Sequence, residues 1–162
     1  MTTQAMVYAY VTADNDNYIK ECNAEYRKRF DKVQTCCRSL GLTLEDAEGA
    51  FYAFPSLKGS PLKGATVTLS DGKTMQINNG EDFVRWAFDL GIGLTPGGVF
   101  GDIANDNVRI SCATSTREIE EMCRRITEAG RKACMNDGRT VGEYLDACFQ
   151  QEGARQVAGA SR

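Results

Sequence analysis

Arg109 is the second residue of Val108-Arg-Ile-Ser-Cys-Ala-Thr-Ser115, a run that follows the glycine turn Pro96-Gly-Gly-Val-Phe-Gly101. Alternation over this run sends Val108, Ile110 and Cys112 toward a core, and Arg109, Ser111 and Ala113 to the other side. A guanidinium aimed away from the packing face offers planar, paired N–H donors that match the two oxygens of a carboxylate. Alternation alone equally permits an ordinary solvent-facing strand arginine, and both readings stay open on spacing. The other reactive residue type is cysteine, present seven times, at Cys22, Cys36, Cys37, Cys112, Cys123, Cys134 and Cys148. With an odd count, no Cys-x-x-Cys pair and no histidine, structural zinc is disfavoured. Cys22, Cys37, Cys112 and Cys123 fall on apolar faces of predicted elements, so reduced structural thiols are expected. The adjacent Cys36-Cys37 could be redox-reactive, yet adjacency does not by itself lower a thiol pKa.

The elements that must position Arg109 are legible around it. Ser115-Thr-Arg-Glu118 has capping-box spacing, and Ile119, Met122, Cys123 and Ile126 form the apolar face of the helix that follows, with Gly130 as its expected stop. Upstream, Ile92-Gly-Leu-Thr-Pro96 reads as a strand entering the glycine turn. Asn79 to Asp82 can cap a helix over Glu81 to Leu90, with Phe83, Val84, Trp86, Ala87, Phe88 and Leu90 as a wide apolar arc closed by Gly91. Asp71-Gly72 separates two alternating runs within 65–77, which predicts a hairpin. Gly49-Ala-Phe-Tyr-Ala-Phe-Pro55 is an aromatic strand stopped by its proline, with Phe51 and Tyr52 on opposite sides. From Tyr18 to Leu40, apolar residues recur at Ile19, Cys22, Tyr26, Phe30, Val33, Cys37 and Leu40, the longest helix signal in the chain, ended by Gly41. Thr2 to Ala13 reads as either a short helix or a strand, and Asp14-Asn-Asp-Asn17 as a turn and natural N-cap. The fold class expected is α+β, a small mostly antiparallel sheet covered by helices behind a long amino-terminal helix.

Composition bounds the function. The 162 residues are 42% hydrophobic and 25% charged, ordinary for one globular domain. A net charge of -3 and a pI near 5.1 provide no basic field for nucleic acid or an anionic membrane, and neither partner is expected. No apolar run reaches the roughly 18 residues of a bilayer span, and Met1-Thr-Thr-Gln lacks signal-peptide order, so a cytoplasmic chain is expected. Gly91-Ile-Gly-Leu-Thr-Pro-Gly97 is superficially like a dinucleotide loop, but its glycine spacing is too long and no strong helix opens after it.

Taken together, Gly49 to Pro55, Pro96 to Gly101 and Val108 to Ser115 resemble, in this order, the carboxy-terminal small domain of class I/II aminotransferases. These are fold-type I pyridoxal-phosphate enzymes, and the likeness is to aspartate aminotransferase-like members over about residues 2 to 130. The resemblance implies that residues 1–14 lead out of a large domain, that 15–130 form the small domain with 65–77 as an inserted hairpin, and that 131–162 are a carboxy-terminal extension, partly disordered. It implies that the long helix partly faces the large domain and leaves an apolar residue exposed. It further implies that Arg109 binds the substrate α-carboxylate, that the substrates are an amino acid and a 2-oxo acid, and that the parent enzyme is a homodimer. Phe100 and the Pro96-Gly97 turn would lie near the cofactor cleft, with a structural turn and a packed aromatic as the plainer account of them.

The lysine that forms the Schiff base with pyridoxal phosphate is not evident. Ser56-Leu57-Lys58 is the nearest imitation of the family's context, but leucine precedes the lysine and no arginine follows until Arg85; Lys63 fails likewise. That lysine, the aspartate paired with the pyridine nitrogen and the aromatic stacked on the ring are expected in the large domain. The chain is therefore expected to supply the small domain and the carboxylate arginine without binding the cofactor or completing transamination alone. It would be a piece of a longer enzyme, half of a split enzyme, or a stand-alone domain. The alternative from a different class is a non-catalytic interaction module with the same fold, using the long helix and the carboxy-terminal segment.

Overall fold

The computed structural model describes residues 3–12, 16–47 and 49–136. Helices α1 (Thr3–Thr12) and α2 (Asp16–Ser39) are followed by strand β1 (Tyr52–Ala53), the hairpin of β2 (Thr66–Thr68) and β3 (Thr74–Gln76), and helix α3 (Gly80–Asp89). Strand β4 (Thr95–Pro96), two short 3₁₀ turns, β5 (Val108–Ser111) and α4 (Thr116–Asn136) complete the order. The ambiguous amino-terminal stretch is thus helical. Expectations for Cys148 and the rest of 137–162 lie outside the described residues.

Strand β5 is the centre of a three-stranded sheet of order β1-β5-β4, antiparallel to both neighbours. Its alternation is as expected: Val108, Ile110 and Cys112 are buried, Arg109 is half-buried on the opposite face, and Ser111 is exposed. The edge strands are shorter than their sequence patterns predict, because only the residues facing β5 find ladder partners. Phe51 and Tyr52, expected on opposite sides, have ring centroids 4.5 Å apart. Phe51 lies outside the regular strand, just after Ala50, whose φ of 68° breaks the alternation.

Helices cover the buried face of the sheet. Phe83 and Trp86 of α3 stack edge-on at 5.5 Å within a core that includes Val33, Leu40, Leu57, Leu62, Val108 and Ile119. Helices α2 and α3 both end in a paired carbonyl clamp around a glycine. Gly41 and Leu42 N–H groups donate to Arg38 and Cys37, while Gly91 and Ile92 donate to Phe88 and Ala87. The apolar stripe of α2 is buried from Phe30 to Leu40, but Tyr18 and Ile19 at its start remain exposed, as do Met6, Val7 and Val11 of α1. Among the described residues no helix is long and apolar enough to cross a membrane. The hairpin is docked, with Val67 buried and the tip residue Ser70 donating from N–H and hydroxyl to the Asp89 carboxylate at 2.8 and 2.6 Å.

Helix α4 starts where the capping box predicts. The Glu118 N–H donates to Ser115 Oγ at 3.2 Å, and Ser115 N–H returns a bond to the Glu118 carboxylate at 3.1 Å. It does not stop at Gly130. The helix runs on to Asn136, because Gly130 serves packing: a Cβ there would sit 2.6 Å from Leu40 Cδ2. A second close approach fixes the glycine turn. A Cβ on Gly97 would lie 2.2 Å from the Ala104 carbonyl oxygen and 2.7 Å from that of Asn107.

Gly97→Ala is expected to destabilise the fold by about 3 kcal/mol, since backbone oxygens cannot yield as side-chain ends do. Gly49→Ala, with nothing within 4 Å of the new Cβ, should shift the urea midpoint little. Equal shifts for the two variants would refute the close-packing account. The Glu118 carboxyl is held below its ordinary 4.5 first by the Thr114 hydroxyl and then by Ser115. Its contribution is therefore complete above pH 4.5 and lost as pH falls through the lowered folded value. Glu118→Gln should flatten that acid limb in thermal melts recorded against pH; a limb of unchanged steepness would show that other carboxyls set it.

Candidate functional site

The outward face of the sheet assembles around Arg109 through register. Thr95 of β4 pairs with Arg109, and Tyr52 of β1 pairs with Ser111, two residues along β5 on the same face. Arg109 Nη2–H donates to Thr95 Oγ1 at 3.3 Å. Its guanidinium carbon lies 4.4 Å from the centroid of the Tyr52 ring and 5.1 Å from that of Phe100, the residue that ends the first 3₁₀ turn, Gly97–Phe100. Phe54, two residues after Tyr52, meets Phe100 edge-on at 5.9 Å and extends the platform.

The glycine turn is what brings Phe100 back over the sheet. Gly97 N–H donates to the Asn107 carbonyl at 2.7 Å, and Gly80 N–H at the start of α3 donates to the Asn105 carbonyl at 2.7 Å. These bonds hold the segment 97–107 against α3 and the end of β5. Ser111, also in the quoted motif, is engaged locally: its hydroxyl accepts from Ala113 N–H at 3.2 Å.

The electrostatic setting of Arg109 differs from that of four helical arginines. Arg27, Arg29, Arg124 and Arg125 each pair with a carboxylate on their own helix. Among the described residues no carboxylate pairs with Arg109, whose recorded partners are the Thr95 hydroxyl and two aromatic faces. Contact with the two rings limits guanidinium motion while leaving in-plane donors available, an arrangement suited to an incoming carboxylate. Two depressions, of about 840 Å³ between α2 and α4 and about 750 Å³ beside the start of α4, do not include Arg109 in their linings. Tyr52, Phe54 and Phe100 beside it are exposed, so this face of the sheet is open.

The lysines considered from sequence stand otherwise. Lys63 is paired with Asp106 at 2.5 Å, and Lys58 is exposed, with its backbone N–H donating to Ser56 Oγ at 3.2 Å. Neither is buried: both side chains reach solvent. Sequence reasoning singled out Arg109 and placed Phe100 and the Pro96-Gly97 turn near the cleft, but did not connect Tyr52 and Thr95 to the arginine. The period-two spacing of Tyr52 and Phe54 was the available signal for a shared face; their register against β5 was not encoded locally.

No family model matches the chain. A probable aspartate/prephenate aminotransferase of Rhizobium leguminosarum bv. phaseoli is 36% identical over 128 residues, which cover 76% of this chain and 30% of that protein. An aspartate aminotransferase of Pyrococcus horikoshii is 27% identical over 113 residues, 68% of this chain and 25% of the relative. Among solved structures, the aspartate aminotransferase from Rhizobium meliloti superposes with a TM-score of 0.63 at 30% identity, covering 78% of this chain and 30% of that one. The aromatic aminotransferase from Pyrococcus horikoshii OT3 gives a TM-score of 0.62 at 24% identity, over 77% of this chain and 29% of that chain, a likeness of fold. The chain spans no more than about 30% of the length of these two curated relatives.

Stacking against Tyr52 should push the Arg109 Nε–H proton resonance upfield through the ring current. Tyr52→Ala is expected to return that resonance toward the position of an exposed arginine. A spectrum in which it does not move would deny the stacked geometry.

Proposed function

The chain matches part of the small domain of class I/II, aspartate aminotransferase-like enzymes, and on that premise we propose that it supplies the substrate-carboxylate arginine, Arg109, of a pyridoxal-phosphate-dependent aminotransferase. The parent enzyme moves an amino group from an amino acid to a 2-oxo acid. The observation that carries this reading is the state of Arg109: half-buried, held between Tyr52 and Phe100, and without a carboxylate partner among the described residues. A guanidinium so held can receive both oxygens of an α-carboxylate and so set the orientation of the amino acid as well as neutralise its charge.

The cofactor and the Schiff-base lysine belong to the remainder of the enzyme, on the same polypeptide or a separate one. Two features of this chain support a missing neighbour. The open aromatic face around Arg109 carries Tyr52, Phe54 and Phe100, and apolar surface is also exposed at Tyr18 and Ile19 of α2 and at Met6, Val7 and Val11 of α1. In this reading the large domain covers both surfaces and turns the open sheet face into a closed site. The homodimer of the parent family is part of the same proposal.

Two experiments test it. In the assembled enzyme, Arg109→Ala should raise KM for the amino acid and for the 2-oxo acid alike, by about 10²- to 10³-fold, the worth of a bidentate charge-assisted pair. Arg109→Lys should recover part of the loss, and unchanged constants would refute the assignment. The mass of the native polypeptide, read in its own cells with an antibody against this domain, decides how the site is completed. A band more than twice 17.8 kDa means one continuous enzyme, and a band at 17.8 kDa directs the search to a separate large-domain partner or to a non-catalytic role.

A further inference from the structure

The seam between α2 and α4 is lined with small side chains. Ser39 Oγ lies 3.3 Å from Thr127 Oγ1, and Cys36 Sγ lies 3.7 Å from the same hydroxyl. Two thiols interlock there. The Cys36 thiol donates to the backbone carbonyl of Cys123 at 3.9 Å, and the Cys123 thiol donates to the carbonyl of Lys32, one turn before Cys36, at 3.8 Å. Each sulfur therefore lies against the backbone of the other cysteine's turn. Packed helix axes are roughly 8–10 Å apart with Cα atoms about 2.3 Å off axis, so directly facing Cα atoms fall roughly 3.4–5.4 Å apart, a range that overlaps the span of a disulfide.

The pair is asymmetric: Cys36 is buried, 8% exposed, and Cys123 is partly exposed. Both residues border the depression of about 840 Å³ between the two helices, together with Lys32, Thr35 and Arg124. Cys36 is held below the ordinary thiol value, first by the neighbouring Cys123 side chain and then by the Thr127 hydroxyl, working against its burial. Cys123 is pushed upward by its bond with Cys36 and by burial. Cys37, the next residue, turns into the core, where burial raises it. Of the two, Cys36 is the thiol that ionises more readily and Cys123 the one that keeps its proton.

We propose that Cys36 and Cys123 form a peroxide-sensitive dithiol site that closes into a disulfide joining α2 to α4. The Cys36 thiolate attacks one oxygen of hydrogen peroxide; the O–O bond breaks, leaving a sulfenic acid on Cys36 and hydroxide, which is protonated to water. The Cys123 sulfur then displaces the sulfenic oxygen. The S–O bond breaks, the S–S bond forms, and the Cys123 proton leaves in a second water. Two thiols lose two electrons in all, and one peroxide is reduced to two waters. This site depends on the helix seam alone and not on the carboxylate reading of Arg109.

The test treats the reduced 162-residue chain with hydrogen peroxide, alkylates the remaining thiols and maps peptides without reductant. The expected product has lost two hydrogens and gained no oxygen, with fragmentation assigning the link to Cys36 and Cys123. Cys36→Ser should abolish the link, and Cys123→Ser should let a sulfenic acid build up on Cys36 that dimedone traps. If either variant fails to fold, the map of the unsubstituted chain decides. Cys36 and Cys123 both recovered as alkylated thiols, a link from either to another cysteine, or sulfinic acid on Cys36 without a link would each overturn the proposal.

Discussion

The two-sidedness of β5 is the constraint on which the rest depends. Its four residues place Val108 and Ile110 in the core and Arg109 on the opposite face, while both edges of the strand are occupied by antiparallel neighbours. A slip of one residue would bury a guanidinium without a partner and expose two β-branched side chains, so register is strongly specified. The same specification puts Thr95 beside Arg109 and Tyr52 diagonally across from it. The position of the arginine is thus a by-product of core packing on the other side of the sheet.

Precision at the arginine comes from a different device. Phe100 belongs to a turn that carries no apolar periodicity, and it reaches the sheet because glycine permits the backbone at 97 to approach the carbonyls of Ala104 and Asn107. Gly80 makes a comparable approach to Asn107 at the start of α3, so a single segment, 97–107, is gripped from two directions. Backbone hydrogen bonds at these points satisfy groups that would otherwise be buried alone. A ring from the turn and a ring from β1 then take up the two aromatic contacts of the guanidinium.

Helix packing follows another rule. Where α2 crosses α4, the seam is made of Cys36, Ser39, Cys123 and Thr127, and Gly130 admits Leu40 where a side chain would exclude it. Small residues let the helices come close, and close helices bring each thiol against the backbone of the other cysteine's turn. The amino-terminal turns of α2 lie beyond this seam, which is why Tyr18 remains 68% exposed while Val33 is fully buried.

Local chemistry determined much of this protein from sequence alone. Period-two alternation sorted Arg109 from Val108 and Ile110, period-three-four spacing marked α2 and α3, and the Ser115-Glu118 box and the Asp71-Gly72 turn placed a helix start and a hairpin. Each of these rests on interactions within a few residues, where side-chain type and backbone preference act directly. Tertiary structure alone decided the pairing of β1 with β5, the meeting of Tyr52 and Phe100 over Arg109, and the contact of Cys36 with Cys123, separated by 87 residues. It also decided that Gly130 continues a helix: glycine ends helices where a left-handed turn is wanted, but the close approach of Leu40 uses only its lack of a side chain. Such long-range choices depend on which surfaces the whole chain can bury together, and no local pattern carries that information.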